Sequence, residues 1–170
     1  MINDTIKITA VDLFESSIEA SKKRNIYDYY IKGDVNKLNE YVSQNSFDCV
    51  VAFDLIEHLS KVDGIKLIQN MSLVARNKII IFTPNGFLFQ PAHGDNPFQE
   101  HISGWTYDEM KNLGFKIHGV FGYKKLRAEF AQPTIKPNFL GGFLSNLSIL
   151  VLKIFKREDL SFSILCIKEF

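Results

Sequence analysis

The sequence predicts an α/β fold, with a mostly parallel sheet covered by helices on both faces, and three observations carry that prediction. Apolar, strand-like runs alternate with helix-like segments from Ile6 to Gly86. Three of the runs stop at an aspartate: Asp12, Asp34 and Asp54. The third run, FDCVVAFD at residues 47–54, is almost wholly apolar between its acids, as expected of a parallel strand buried on both faces.

Residues 6–11, IKITAV, alternate as a strand does, and FESSIEASKKR follows with its acids early and its bases late, matching the dipole of a helix. A second unit opens at residues 27–34, YDYYIKGD, an aromatic and β-branched run ending at Gly33-Asp34 before VNKLNEYV. After residues 47–54 comes SKVDGIKLIQNMSLVAR, with Ser60 as N-cap and Asp63 three residues on. Val62, Ile65, Ile68, Met71 and Ala75 are expected on its one apolar stripe. NKIIIFTPNG is a further buried strand, stopped by Pro84 and the Asn85-Gly86 turn.

Residues 87–104, FLFQPAHGDNPFQEHISG, show no period and hold two prolines, and a loop of that length in a compact domain is usually functional. WTYDEMKNLG restores order. Thr106 is its N-cap, with Glu109 at the third helical position, Trp105 and Met110 as hydrophobic staple and Gly114 as C-terminal stop. FKIHGVFGY is the next strand, PTIKPN at residues 133–138 a proline-bounded linker, FLGGFLSNLSILVLKIFKRED a helix and SFSILCIKEF a closing strand. The whole, residues 1–170, reads as a single domain without internal repeats, long enough to bury about two thirds of its unfolded surface.

Composition narrows the function. The 20 basic and 19 acidic residues are scattered, with no block of like charge to act as a footprint for nucleic acid, so nucleic acid is not expected as a partner. Cys49 and Cys166 both sit in apolar runs and are expected as buried, reduced thiols, which fits a cytoplasmic setting. The N-terminus MINDTIKITAVDLF lacks the basic region and long apolar core of a signal peptide. Neither HExxH nor CxxC spacing occurs, which argues against a recognisable zinc site, and no metal is expected.

In open α/β sheets, ligands sit outside the carboxyl ends of the strands. Asp12, Asp34 and Asp54 occupy such ends, where carboxylates accept ribose hydroxyls or an exocyclic amine; the alternative is that each only caps the segment after it.

ITAVDLFESSIEAS, IKGDV, FDCVVAFDLIEHLSK and KIIIFTPNG, in that order and spacing, resemble the class I S-adenosylmethionine-dependent methyltransferases, particularly their small-molecule branch, with DLIEHL the most specific piece. The resemblance implies a Rossmann-like methyltransferase fold with an antiparallel C-terminal strand, S-adenosylmethionine as cofactor and a small-molecule acceptor. Residue by residue, it makes Asp12 the ribose-binding acid and sets Leu13 against the adenine. It puts Asp34 and Val35 at the adenine edge, and Phe53 and Asp54 near the methionine part. Glu57 and His58 match the family's acid and histidine entering the next helix; His58 either orders that turn or transfers a proton.

His93 and His101 lie in the long loop expected to enclose the acceptor, with Trp105 just beyond it, and Glu57 is a further candidate for binding the acceptor. His101 is the first choice for a general base, the other reading being a histidine that orders the loop. A base is needed only if the acceptor must lose a proton, because the methyl group arrives already activated and the protein mainly aligns the reacting atoms.

One departure stands out. The family's glycine-rich loop lies about 20 residues before the ribose acid, whereas eleven residues precede Asp12 here and no glycine occurs before Gly33. The strand carrying that loop is central in the family's sheet, between the strands ending at Asp12 and at Asp54. Its absence is expected to open two edges, to weaken or abolish cofactor binding, and to favour a homodimer or higher assembly. The other class of function left open is a degenerate, non-catalytic binding or assembly protein.

The C-terminal helix is expected to place Phe143, Leu147, Leu150 and Ile154 on one stripe and Leu144, Val151 and Phe155 on a neighbouring one. Ile149 and Leu152 then fall on its wet face. Core packing or a dimer surface is one use of so apolar a helix, and docking on a membrane surface is the less favoured one.

Overall fold

The computed structural model describes residues 6–92, 96–127 and 132–170. Strands β1 (Thr9–Asp12) and β2 (Tyr29–Lys32), joined through helix α1 (Glu15–Lys23), pair in parallel with Asp12 opposite Lys32. A 3-10 turn at Val35–Lys37 and helix α2 (Leu38–Tyr41) lead to β3 (Phe47–Phe53). Helix α3 (Lys61–Val74) runs directly into β4 (Ala75–Pro84). After the long loop come α4 (Tyr107–Asn112), β5 (Lys116–Tyr123), α5 (Asn138–Ile154) and β6 (Ser161–Glu169).

The strands form two sheets. One holds β1 and β2; the other has the order β3-β4-β6-β5, with β3 and β4 parallel and β6 antiparallel to both of its neighbours. Ile79, Ile81 and Ile164 on the central strands are fully buried and pack with Leu67, Met71, Met110 and Trp105 into one core.

Local chemistry sets the helix ends. Ser60 Oγ accepts from the Asp63 amide at the start of α3, and Thr106 with Glu109 makes a complete capping box for α4, whose staple residues Trp105 and Met110 are both buried. Gly114 ends that unit at φ +86, a left-handed conformation that favours glycine.

Three expectations need correction. β3 is not buried on both faces: no described strand pairs with its second edge, and Val51 and Phe53 stand 52% and 56% exposed. Cys49, on that strand, is therefore exposed, while Cys166 on the central β6 is buried; both are free thiols. On α3, Val62 is 79% exposed, and the buried stripe runs instead through Gly64, Leu67, Ile68, Met71 and Val74.

The third correction concerns α5, which presents the opposite face to the one its apolar content suggests. Gly141, Ser145 and Leu152 are buried, whereas Phe143, Leu147, Leu150 and Ile154 point outward. Small residues win because the helix backbone comes very close to β5: a Cβ on Gly122 would lie 1.9 Å from the Ser145 carbonyl oxygen. Ser145 Oγ donates to the Phe121 carbonyl at 2.6 Å, and Ser148 Oγ accepts from the Tyr123 amide at 2.8 Å. Hydrogen bonds between serines and the β5 backbone thus fix the docked face, and bulkier apolar residues are left outside. Among the described residues, no helix is long and apolar enough to cross a membrane.

Candidate active site at the carboxyl ends of the strands

β3 ends at Asp54, whose φ of +48 turns the chain out of the strand while its amide still donates to the Phe82 carbonyl of β4. The next residues, Ile56–His58, form a single 3-10 turn. The long loop is stitched to this turn, because the amides of Ile102 and Ser103 both donate to the Glu57 carbonyl at 3.0 Å. Trp105 secures the junction from below, its indole Nε1 donating to Ser103 Oγ at 3.0 Å and to the Ile56 carbonyl at 3.3 Å.

Those ties gather three of the sequence-predicted residues. Glu57 is 2% exposed; its Oε2 accepts from Thr83 Oγ1 at 3.0 Å, and its Oε1 is buried with no hydrogen-bond partner among the described residues. Burial, reinforced by the neighbouring Asp54 charge, pushes the Glu57 carboxyl up to about 7. His58 Nδ1 meets the Glu100 carbonyl at 2.9 Å, and His101 Nδ1 meets the Leu88 carbonyl at 2.8 Å. The two imidazole rings stand edge to face with centroids 4.8 Å apart. Burial pushes His101 down, so the ring is neutral near pH 7. Burial also raises Asp54, against an opposing effect of His58 and His101. One ligand-capable atom from each of Glu57, His58 and His101 lies within 4.8 Å of the other two.

The remaining candidates are placed differently. Asp12 Oδ1 accepts from the Phe14 amide at 2.8 Å, and Asp34 Oδ1 caps the following turn through the Asn36 amide at 2.9 Å. They share one end of the β1-β2 pair, with the Gly33 amide donating to the Asp12 carbonyl. Leu13 is exposed at that end, while Val35 packs on the core. Phe53 is exposed and meets Phe82 edge to face. Trp105, 2% exposed, lies beneath the loop and reaches the site through its hydrogen bonds to Ile56 and Ser103. His93 lies outside the described residues.

Sequence reasoning missed Thr83, and one signal for it existed. Along β4 the inward positions run Ile79, Ile81, Thr83, so a hydroxyl interrupts a buried apolar alternation and needs a partner there. The carbonyls of Leu88 and Glu100 had no such signal.

Between the two sheets lies a cleft of about 820 Å³, walled by side chains such as Ile8, Val11, Leu38, Cys49, Val51 and Met71. Neither Asp12 nor Asp34 is among its lining residues, and its described wall holds no glycine where a backbone could approach a ligand closely.

An α/β fold with a polar cluster at its strand ends is a recurring frame for ligand binding, and the comparisons resolve it further. Residues 2–82 match the methyltransferase domain family model. The fold is similar to that of a SAM-dependent methyltransferase from Archaeoglobus fulgidus, with a TM-score of 0.54 and 16% identity over 95% of this chain and 75% of that one. It is similar to the plantazolicin methyltransferase BamL in complex with an analogue and SAH, with a TM-score of 0.51 and 16% identity over 96% of this chain and 67% of that one. It is equally similar to the [4+2]-cyclase SpnF, with a TM-score of 0.55 and 12% identity over 98% of this chain and 67% of that one. No curated protein matches the sequence. Residues 2–82, just under half of the chain, are thus similar to the methyltransferase domain family, and the chain shares the fold of SAM-dependent methyltransferases.

Proposed function

We propose that this chain carries the acceptor side of a small-molecule methyltransferase and takes up S-adenosylmethionine effectively only when its split sheet is completed. The observation behind this reading is the group of buried Glu57 and His101 with half-buried His58 just beyond β3, where open α/β sheets hold their ligands. His101, neutral and held through Nδ1, accepts the proton that an acceptor hydroxyl or amine must lose. His58 and Glu57 orient that ring and the loop above it, and the loop encloses the acceptor.

Asp12 and Leu13 would hold the cofactor's ribose and adenine, Asp34 and Val35 the adenine edge, and Phe53 and Asp54 the methionine part. When bound, the cofactor supplies a methyl group already activated on sulfur. Titration calorimetry with S-adenosylmethionine and S-adenosylhomocysteine tests the reading. Weak or undetectable binding by the chain alone is expected, and low-micromolar binding overturns the requirement for a completed sheet.

A second reading, a non-catalytic binding or assembly protein, is favoured by the same open edge of β3 and by the outward apolar face of α5. Both readings lead to self-association, and we assign the α5 face to pairing of two copies rather than to a lipid surface. Exposed Asn146 and Lys153 interrupt that face, which suits a protein surface better than acyl chains. The two free thiols accord with a cytoplasmic location.

A further inference from the structure

We infer that Glu57, His58 and His101 bind one divalent transition-metal ion, with a coordination position left open for an acceptor hydroxyl. The inference deepens the reading above, since it concerns the same acceptor site, but its test does not depend on methyl transfer.

The hydrogen bonds assign the lone pairs. A backbone carbonyl only accepts, so the Nδ1 atoms facing Glu100 and Leu88 each carry a proton, and the form of each ring that can ligate a metal has Nε2 free of one. The lone pair of that form is on Nε2. An imidazole whose other nitrogen donates to a backbone carbonyl is the arrangement that orients metal-ligating histidines and raises their basicity. Glu57 is held in the same manner. Thr83 occupies Oε2, and Oε1 is left buried with no hydrogen-bond partner among the described residues. A buried acceptor without a donor is costly, and a cation satisfies it. Asp54, at the start of the same turn, adds a further negative charge felt by both imidazoles.

Geometry and ligand type set the ion. Ligand atoms around one tetrahedral ion stand roughly 3.3 Å apart, so one ligand atom from each of the three residues, now within 4.8 Å of the other two, must draw closer, and half-buried His58 is the least enclosed of the three. Two imidazole nitrogens and one carboxylate oxygen suit Zn2+, Co2+, Mn2+ or Fe2+ rather than Ca2+ or Mg2+. Three protein ligands are the number found in sites that keep a position for water or substrate. With an ion present, His101 acts as ligand, and the ion lowers the pKa of an acceptor hydroxyl placed on it.

The test is titration of the full chain, stripped with chelator and free of S-adenosylmethionine, with Co2+ alone. One saturable equivalent with visible d–d absorption is expected, weakened at least tenfold in His58→Asn, His101→Asn and Glu57→Gln and unchanged in His118→Asn, a change on β5 outside the cluster. Imidazole 15N spectra of the unaltered protein with Zn2+ give a second readout that needs no variant: Nε2 of two histidines shifts, and the other two stay. No saturable Co2+ binding by the unaltered chain overturns the inference. So does binding that all three variants retain, or Zn2+ shifts confined to His118 and His93. Failure of the cofactor titration leaves all these outcomes unaffected.

Discussion

The indole of Trp105 fills the space where Gly64 has no side chain: a Cβ on Gly64 would lie 2.3 Å from the indole Cζ2. The contact joins the first turns of α3 to the end of the long loop, and both residues are buried. The same indole donates to the Ile56 carbonyl beneath the Glu57 turn. Site and core share this one side chain.

Gly64→Ala therefore destabilises the protein although alanine is the better helix former by about 1 kcal/mol. A wedge against a buried ring costs about 1–3 kcal/mol, which exceeds that gain. Urea unfolding monitored by Trp105 fluorescence should show a lower midpoint, and an unchanged or higher one rejects the contact.

Thr106→Ala removes the side-chain half of the α4 capping box, because Thr106 Oγ1 accepts from the Glu109 amide and donates to Glu109 Oε2, while the residue 106 amide still donates to Glu109. A loss of about 1 kcal/mol is expected. It is a large share of the stability of a helix only six residues long, and it should appear in equilibrium denaturation with an unchanged slope.

Thiol chemistry should separate the two cysteines. Burial on β6 pushes Cys166 up to about 12, so its thiolate is scarce at neutral pH, and the side chain is inaccessible. Cys49 is exposed along the cleft. Ellman's reagent should titrate one thiol per native chain and two in guanidinium; two in the native protein would contradict the placement of β6.

Phe143→Ser combined with Leu150→Ser leaves the fold almost untouched, within about 0.5 kcal/mol, since both side chains point outward from α5. Light scattering at high concentration should show a dimer or higher assembly for the unaltered chain and a monomer for the double variant. A monomeric unaltered chain removes the case for pairing through this face.

What the sequence revealed, and what it concealed, follows from the range of each interaction. Ser60, Thr106 and Gly114 act within one turn, and local spacing was enough to place them. The burial of β3 depends on which strands flank it, and the docked face of α5 depends on backbone contact with Gly122; neither is encoded near the residue concerned. The meeting of His58 with His101 belongs to the same class. It requires the loop after β4 to fold back on the turn after β3, through carbonyl contacts that any sequence can supply.

The unpaired edge of β3 gives the protein its own gauge of occupancy. Amides along a strand point alternately to its two sides, so every second N–H of β3 bonds to β4 and the intervening ones face the cleft. Hydrogen exchange along Phe47–Phe53 should read as a slow–fast alternation while the cleft is solvated. Whatever backbone comes to lie there, from this chain or another, converts the alternation into uniform protection and so declares its presence without a label.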